Sequence, residues 1–148
     1  MAEIIDTDRP LRRVALAGAS GLVGQHLLQA LLADASVDEV HVLSRRMLAV
    51  KHPKLILHTV DFQHVPQLPA IDELYLALGT TIKQAGSQAA FRAVDYDANF
   101  AVARAAVAAG ASRIALVSAN GADAQSRIFY NRVKGELEAA LRTLTLSR

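Results

Sequence analysis

Residues 14–24 read Val14-Ala15-Leu16-Ala17-Gly18-Ala19-Ser20-Gly21-Leu22-Val23-Gly24, an apolar run that passes through three glycines into a helical pattern. The run before Gly18 has the form of a buried strand, and the periodic apolar residues after Gly24 have the form of a helix. A strand feeding a glycine turn and a helix N-terminus makes an anion site. Unpaired backbone N–H groups and the positive end of the helix dipole converge there. In this order Gly18 permits the tight turn, Gly21 lets the backbone approach a pyrophosphate, and Gly24 lets the helix pack close to its strand. The spacing is G-x-x-G-x-x-G. An ordinary glycine-rich β–α turn is the plainer alternative, but the position after a first strand and before a first helix favours a bound dinucleotide.

Working outward, short β-rich runs alternate with helical patterns, the rhythm of βαβ units in a parallel sheet. Strands are predicted at residues 13–17, 40–43, 55–60, 73–78 and 114–117, with the start of a sixth at 144–147. A first helix is predicted over 23–33, with Val23, Leu27, Ala30 and Leu31 as its sheet-facing residues. The connection from the second strand to the third carries no clear helix. A long Ala-rich helix is predicted over 88–109, stopped by Gly110. A last helix follows over 126–141. The expected fold is α/β, a Rossmann-type doubly wound parallel sheet with helices on both faces. Residues 1–148 form one domain, with 1–12 as a flexible tail.

Composition narrows the classes. At 148 residues, 52% hydrophobic and 20% charged, the chain is globular rather than disordered. A net charge of +2 without a basic run gives no nucleic-acid groove. There is no cysteine, hence no disulfide framework and no thiolate metal site, which suits a reducing compartment. The acidic start, with Glu3, Asp6 and Asp8, does not read as a secretory leader. No apolar stretch approaches the ~20 residues that span a bilayer. These features predict a soluble protein of the cytoplasm with neither nucleic-acid nor membrane partners.

The chemistry-bearing residues lie towards the C-terminus. Ser118 follows the fifth strand, at the sheet edge where ligands bind in such folds. Tyr130-Asn131-Arg132-Val133-Lys134 then places a phenol and an ammonium four residues apart, on one face of a helix. Carbonyl reduction needs an acid beside the developing alkoxide. A free phenol, with a pKa of ~10, is too weak an acid at neutral pH, and a nearby cation favours its ionised form. A serine hydroxyl can hydrogen-bond the substrate oxygen. Ser118, Tyr130 and Lys134 are therefore the candidate catalytic residues. An incidental Tyr and Lys on a half-exposed helix is the alternative.

After the second strand, where an NAD site would carry a carboxylate for the ribose 2′-hydroxyl, the chain has Ser44-Arg45-Arg46. Two guanidinium groups suit a 2′-phosphate. This predicts NADP(H), with NAD(H) the other candidate; a solvated surface pair of arginines is the plainer reading.

These motifs carry a family resemblance over nearly the whole chain. The sequence resembles an atypical, extended-type short-chain dehydrogenase/reductase, and within that group the oxidoreductases related to the Tat-interacting protein. The matching segments are 18–24, Leu76-Ala77-Leu78-Gly79-Thr80-Thr81, residues 117–123, and Phe129-Tyr130-Asn131-Arg132-Val133-Lys134-Gly135-Glu136. The resemblance implies an NADP-dependent oxidoreductase acting on a small carbonyl compound. It implies that Gly18, Ser20, Gly21, Leu22, Val23 and Gly24 cradle the pyrophosphate and that Arg45 and Arg46 hold the adenosine phosphate. Asp61 would lie near the adenine, Leu78, Gly79 and Thr80 along the ribose, and Lys134 on the nicotinamide ribose.

Such relatives continue past a sixth strand into a segment that closes the substrate pocket. Here that segment is expected to be absent or truncated, and the link at 142–144 is short. An edge strand left bare in this way predicts a less stable, association-prone chain. Small-residue helix faces could form a homodimer. A catalytically silent NADP(H)-sensing or scaffold protein is the competing reading. The five histidines share no metal-ligand spacing, so no metal site is expected. Asp95 and Asp97 read as a solvated or capping set, and Val94, Phe100, Ala101 and Val107 as sheet- or dimer-packing residues.

Overall fold

A computed structural model of the chain describes residues 10–144 and residue 146. In chain order the elements are β1 (Arg12–Ala17), α1 (Leu22–Ala33), β2 (Val37–Ser44), β3 (Leu55–Thr59), β4 (Glu73–Leu76), α2 (Ile82–Ala85) and α3 (Gln88–Arg92). A π-helical turn (Ala93–Ala98) joins α3 to α4 (Asn99–Ala108), and β5 (Arg113–Leu116) and α5 (Phe129–Arg142) follow. The five strands pair in parallel in the order β3-β2-β1-β4-β5. The direction of winding reverses at β1, and a crevice opens beyond the strand ends at that switch point.

Alternation along β1 builds both layers. Val14 and Leu16 join Leu28, Leu31 and Leu32 of α1 in one core. Ala15 and Ala17 point the other way, into a core with Val102, Ala103 and Ala106 of α4. Residues 14–17 of β1 are fully buried on both faces, as the continuous apolar run requires. The doubly wound α/β sheet read from the sequence is the observed fold.

Several local expectations change. The buried face of α1 is Gly24, Leu28, Leu31 and Leu32, whereas Val23 and Ala30 are exposed. Gly24 sets this rotation because it must face Gly18. The long Ala-rich helix is interrupted at 93–98 by the π-helical turn. Its end is as expected: Gly110 takes a φ of +102°, Gly110 N–H donates to Val107 C=O, and Ala111 N–H donates to Ala106 C=O. That pair of bonds is a Schellman stop. Arg12, placed in the tail by the sequence, is the first residue of β1, and its guanidinium bonds Glu73 at 2.6 Å and Asp34 at 3.0 Å. Residues 1–9 lie outside the described residues. So do Thr145 and Ser147 of the expected sixth strand; Leu144 packs against the α4-side core.

Candidate functional site

A cavity of about 930 Å³ lies beyond the C-terminal strand ends. Its walls come from the glycine turn (Gly18, Ser20, Gly21), the segment after β2 (Arg45, Arg46), the segment after β3 (Asp61, Phe62), the segment after β4 (Leu78, Gly79), and the π turn and α4 (Asp97, Ala101).

The glycine turn is fixed by close backbone approach. Gly18 has a φ of +95°, and a β-carbon there would meet the Ala77 and Leu78 backbone, with Leu78 N at 2.6 Å. A β-carbon on Gly24 would collide with the carbonyl of Gly18. Gly21 differs: the nearest atom to its β-carbon would be 3.7 Å away, ordinary contact. The first intrahelical bond runs from Gln25 N–H to Gly21 C=O at 2.9 Å. The amides of Leu22, Val23 and Gly24 therefore precede the helical ladder. No side chain caps this end of α1.

Arg45 and Arg46 are exposed, and among the described residues neither guanidinium pairs with a carboxylate. Asp61 accepts from Gln63 N–H at 2.9 Å and contacts His64 Nδ1 at 3.2 Å. The backbone bond first, then the histidine, holds its carboxyl below the usual aspartate range. Leu78 C=O accepts from Asn99 Nδ2 at 3.0 Å, and Thr80 N–H donates to Asp95 at 3.2 Å, so the segment after β4 is tied to the interrupted helix.

Ser118, just beyond β5, has a buried Oγ with no hydrogen-bond partner among the described residues. Asn99 Oδ1 is in the same state. Tyr130 lies in the first turn of α5, its ring 5.3 Å from that of Phe91. Lys134 Nζ is 5.4 Å from the Tyr130 ring centre, so the structure brings phenol and ammonium together. Ser118, Tyr130 and Lys134 are not among the cavity walls. The loop after Ser118 is drawn onto α5 by Asp123 N–H donating to Asn131 C=O at 3.0 Å. Gly135 makes the approach feasible, since a β-carbon there would lie 2.6 Å from Asp123 Cα.

Asp95 is not the solvated or capping residue read from the sequence, whereas Asp97 is exposed, as that reading has it. Asp95 is fully buried and bonds the Lys134 ammonium, while Asp97 lines the cavity. Val94 and Ala101, read as packing residues, also line it. Sequence reasoning missed that Asp95 and Asn99 hold Thr80, Leu78 and Lys134. Their four-residue spacing on a helix was the available signal, and the π turn that orients them has no sequence signature.

The family model described as semialdehyde dehydrogenase, NAD binding domain, matches residues 13–136. The chain is 36% identical over 139 residues to Protein FMP52-1, mitochondrial, of Scheffersomyces stipitis, covering 88% of this chain and 61% of that protein. It is 34% identical over 148 residues to Protein fmp52, mitochondrial, of Emericella nidulans, covering 93% and 64%. The chain thus spans about three fifths of these relatives. The solved structure of a DesIV double mutant, a dTDP-glucose 4,6-dehydratase from Streptomyces venezuelae with NAD and DAU bound, superposes with a TM-score of 0.73. That likeness, at 20% identity over 88% of this chain and 51% of that one, shows the fold. The cytoplasmic location read from composition does not stand, because the relatives are named as mitochondrial proteins; charge and hydropathy report solubility and do not specify an address. Among the described residues no helix is long and apolar enough to cross a membrane. Glycine turn, strand order and family match converge: the chain belongs to the semialdehyde dehydrogenase, NAD binding domain, family, and has its NAD-binding domain on a Rossmann-type sheet.

Proposed function

We propose that this domain binds NADP(H) and serves the reduction of a small carbonyl compound, in mitochondria, as a member of the branch that resembles the Tat-interacting-protein-like reductases. The observation that carries the reading is the single cavity wall shared by the glycine turn and the two exposed arginines, Arg45 and Arg46. Its volume of about 930 Å³ lies at the upper end of the ~300–1,000 Å³ usual for small-molecule sites. The residues fit a dinucleotide. Gly21 needs no glycine for the sake of its own neighbours, so its lack of a β-carbon suits a ligand's approach.

In this reading Gly18, Ser20, Gly21, Leu22, Val23 and Gly24 hold the pyrophosphate and Arg45 and Arg46 the 2′-phosphate, with Asp61 near the adenine and Leu78, Gly79 and Thr80 along the ribose. A bound nicotinamide supplies the hydride. Tyr130 Oη gives a proton to the substrate oxygen, and the buried, unpartnered Ser118 Oγ donates a hydrogen bond to the same atom. Lys134 stands beside Tyr130 and anchors the nicotinamide ribose. A fluorescence titration with NADPH and NADH tests the cofactor: tighter NADPH binding supports the assignment, and equal or tighter NADH binding refutes it.

One observation favours a second reading, in which the protein binds NADP(H) as a sensor. Lys134 is held by Asp95 and does not line the cavity. NADPH that raises the melting temperature, while no aldehyde or quinone drives its consumption, would select this reading.

A further inference from the structure

We propose that Asp95 is the positioning residue for Lys134, presented by the π-helical turn. The role rests on the reading of Lys134 as a dinucleotide-binding residue. Asp95 has no exposed surface, and the Lys134 side chain is only 8% exposed. One carboxylate oxygen of Asp95 bonds the ammonium, and the other accepts from Thr80 N–H at 3.2 Å. A buried charge without a partner is strongly unfavourable, so each of the two ions depends on the other. An ammonium carries three donors. With one of them held by a fixed carboxylate, the head has a set direction and the others can serve a ligand.

The backbone is adapted to this task. In a regular α-helix the amide of Asn99 would donate to the carbonyl of Asp95. Here Asn99 N–H turns to Tyr96 C=O, and the carbonyl of Asp95 accepts from the Asn99 side-chain amide at 2.9 Å. The same amide nitrogen donates to Leu78 C=O at 3.0 Å. The π turn thus fastens Asp95 to the segment after β4, which lines the dinucleotide-sized cavity, and to α5, which carries Lys134. Helical turns of this kind are frequent at functional sites.

The test uses the chain and its Asp95→Asn, Lys134→Met and Asp95→Asn/Lys134→Met variants, each followed by NADPH fluorescence titration and thermal melting. Asp95→Asn is expected to bind NADPH about tenfold more weakly, the effect of mis-seating one charged hydrogen bond. The double variant is expected to melt above Asp95→Asn, because no unpaired ammonium remains buried, yet to bind no more weakly than Lys134→Met alone. That pattern separates positioning from general stability. Wild-type affinity in Asp95→Asn overturns the role, as does a double variant about tenfold weaker than Lys134→Met, which would mean that Asp95 acts independently. If Asp95→Asn does not fold, the comparison of the double variant with Lys134→Met still decides. A wild-type chain that binds neither NADPH nor NADH overturns the cofactor reading and the role with it.

Discussion

Gly24 stands so close to Gly18 that a β-carbon on Gly24 would overlap the Gly18 carbonyl oxygen. The first turn of α1 and the turn leaving β1 are thereby locked together, and Gly21 between them is the one glycine of the three with room around it. Gly24→Ala is expected to lower stability by about 1–3 kcal/mol, the usual range for overpacking against a rigid backbone. Gly21→Ala should leave the melting temperature within about 2 °C of the parent, a shift too small for a core defect, while weakening NADPH binding. Thermal melts with and without NADPH separate the two effects.

A second lock joins Gly135 to Asp123 and Ala124. Gly135→Ala must push the loop after Ser118 off α5 or bend the helix. Loss of about 1–3 kcal/mol is expected, with greater protease sensitivity confined to residues 119–128. Limited proteolysis followed by mass spectrometry reads the position of the cut.

Arg45 and Arg46 present two exposed guanidinium groups at the cavity wall. Replacing both with alanine should weaken NADPH binding by about tenfold to a hundredfold, the scale of one or two charged hydrogen bonds, and leave NADH affinity nearly unchanged. Parallel titrations of the two dinucleotides measure the ratio, and raised salt should shrink it.

Tyr130→Phe removes one hydroxyl from a ring that stays packed on Phe91. Turnover of a carbonyl substrate is expected to fall by roughly 10²–10⁴-fold, the contribution of a general acid, with NADPH affinity within about twofold of the parent, since a phenol-to-phenyl change leaves the phosphate contacts intact. Steady-state kinetics against equilibrium titration makes the comparison.

His41 Nδ1 and His58 Nε2 lie 2.9 Å apart, with His41 Nε2 on Glu39 at 2.8 Å. Only one proton fits between the two rings. Burial first, and His41 second, lower the His58 pKa from the ordinary 6.5. Below that value the unfolded chain takes up a proton that the folded chain resists. Stability is therefore expected to be complete above about pH 6.5 and to decline as the pH falls towards 5. His58→Gln should flatten that decline. Melting temperatures of the two proteins between pH 5 and 8 supply the comparison.

The apolar run 14–17, the three glycines and the βα rhythm sufficed to set the sheet, its strand sequence and the crevice, because periodicity and turn chemistry are local properties. The Tyr130–Lys134 pairing followed from four-residue spacing for the same reason, and so did the stop at Gly110. Which face of α1 is buried did not follow, since Val23 and Gly24 both fit an amphipathic count until Gly18 is placed against the helix. Asp95 looked like a surface carboxylate because nothing nearby in sequence says that Thr80 and Lys134, 15 and 39 residues away, will surround it. The pairing of His41 with His58 and the approach of Gly135 to Asp123 are likewise contacts between separate elements. Burial and ion pairing are set by what packs across such distances, and only the tertiary structure determines that.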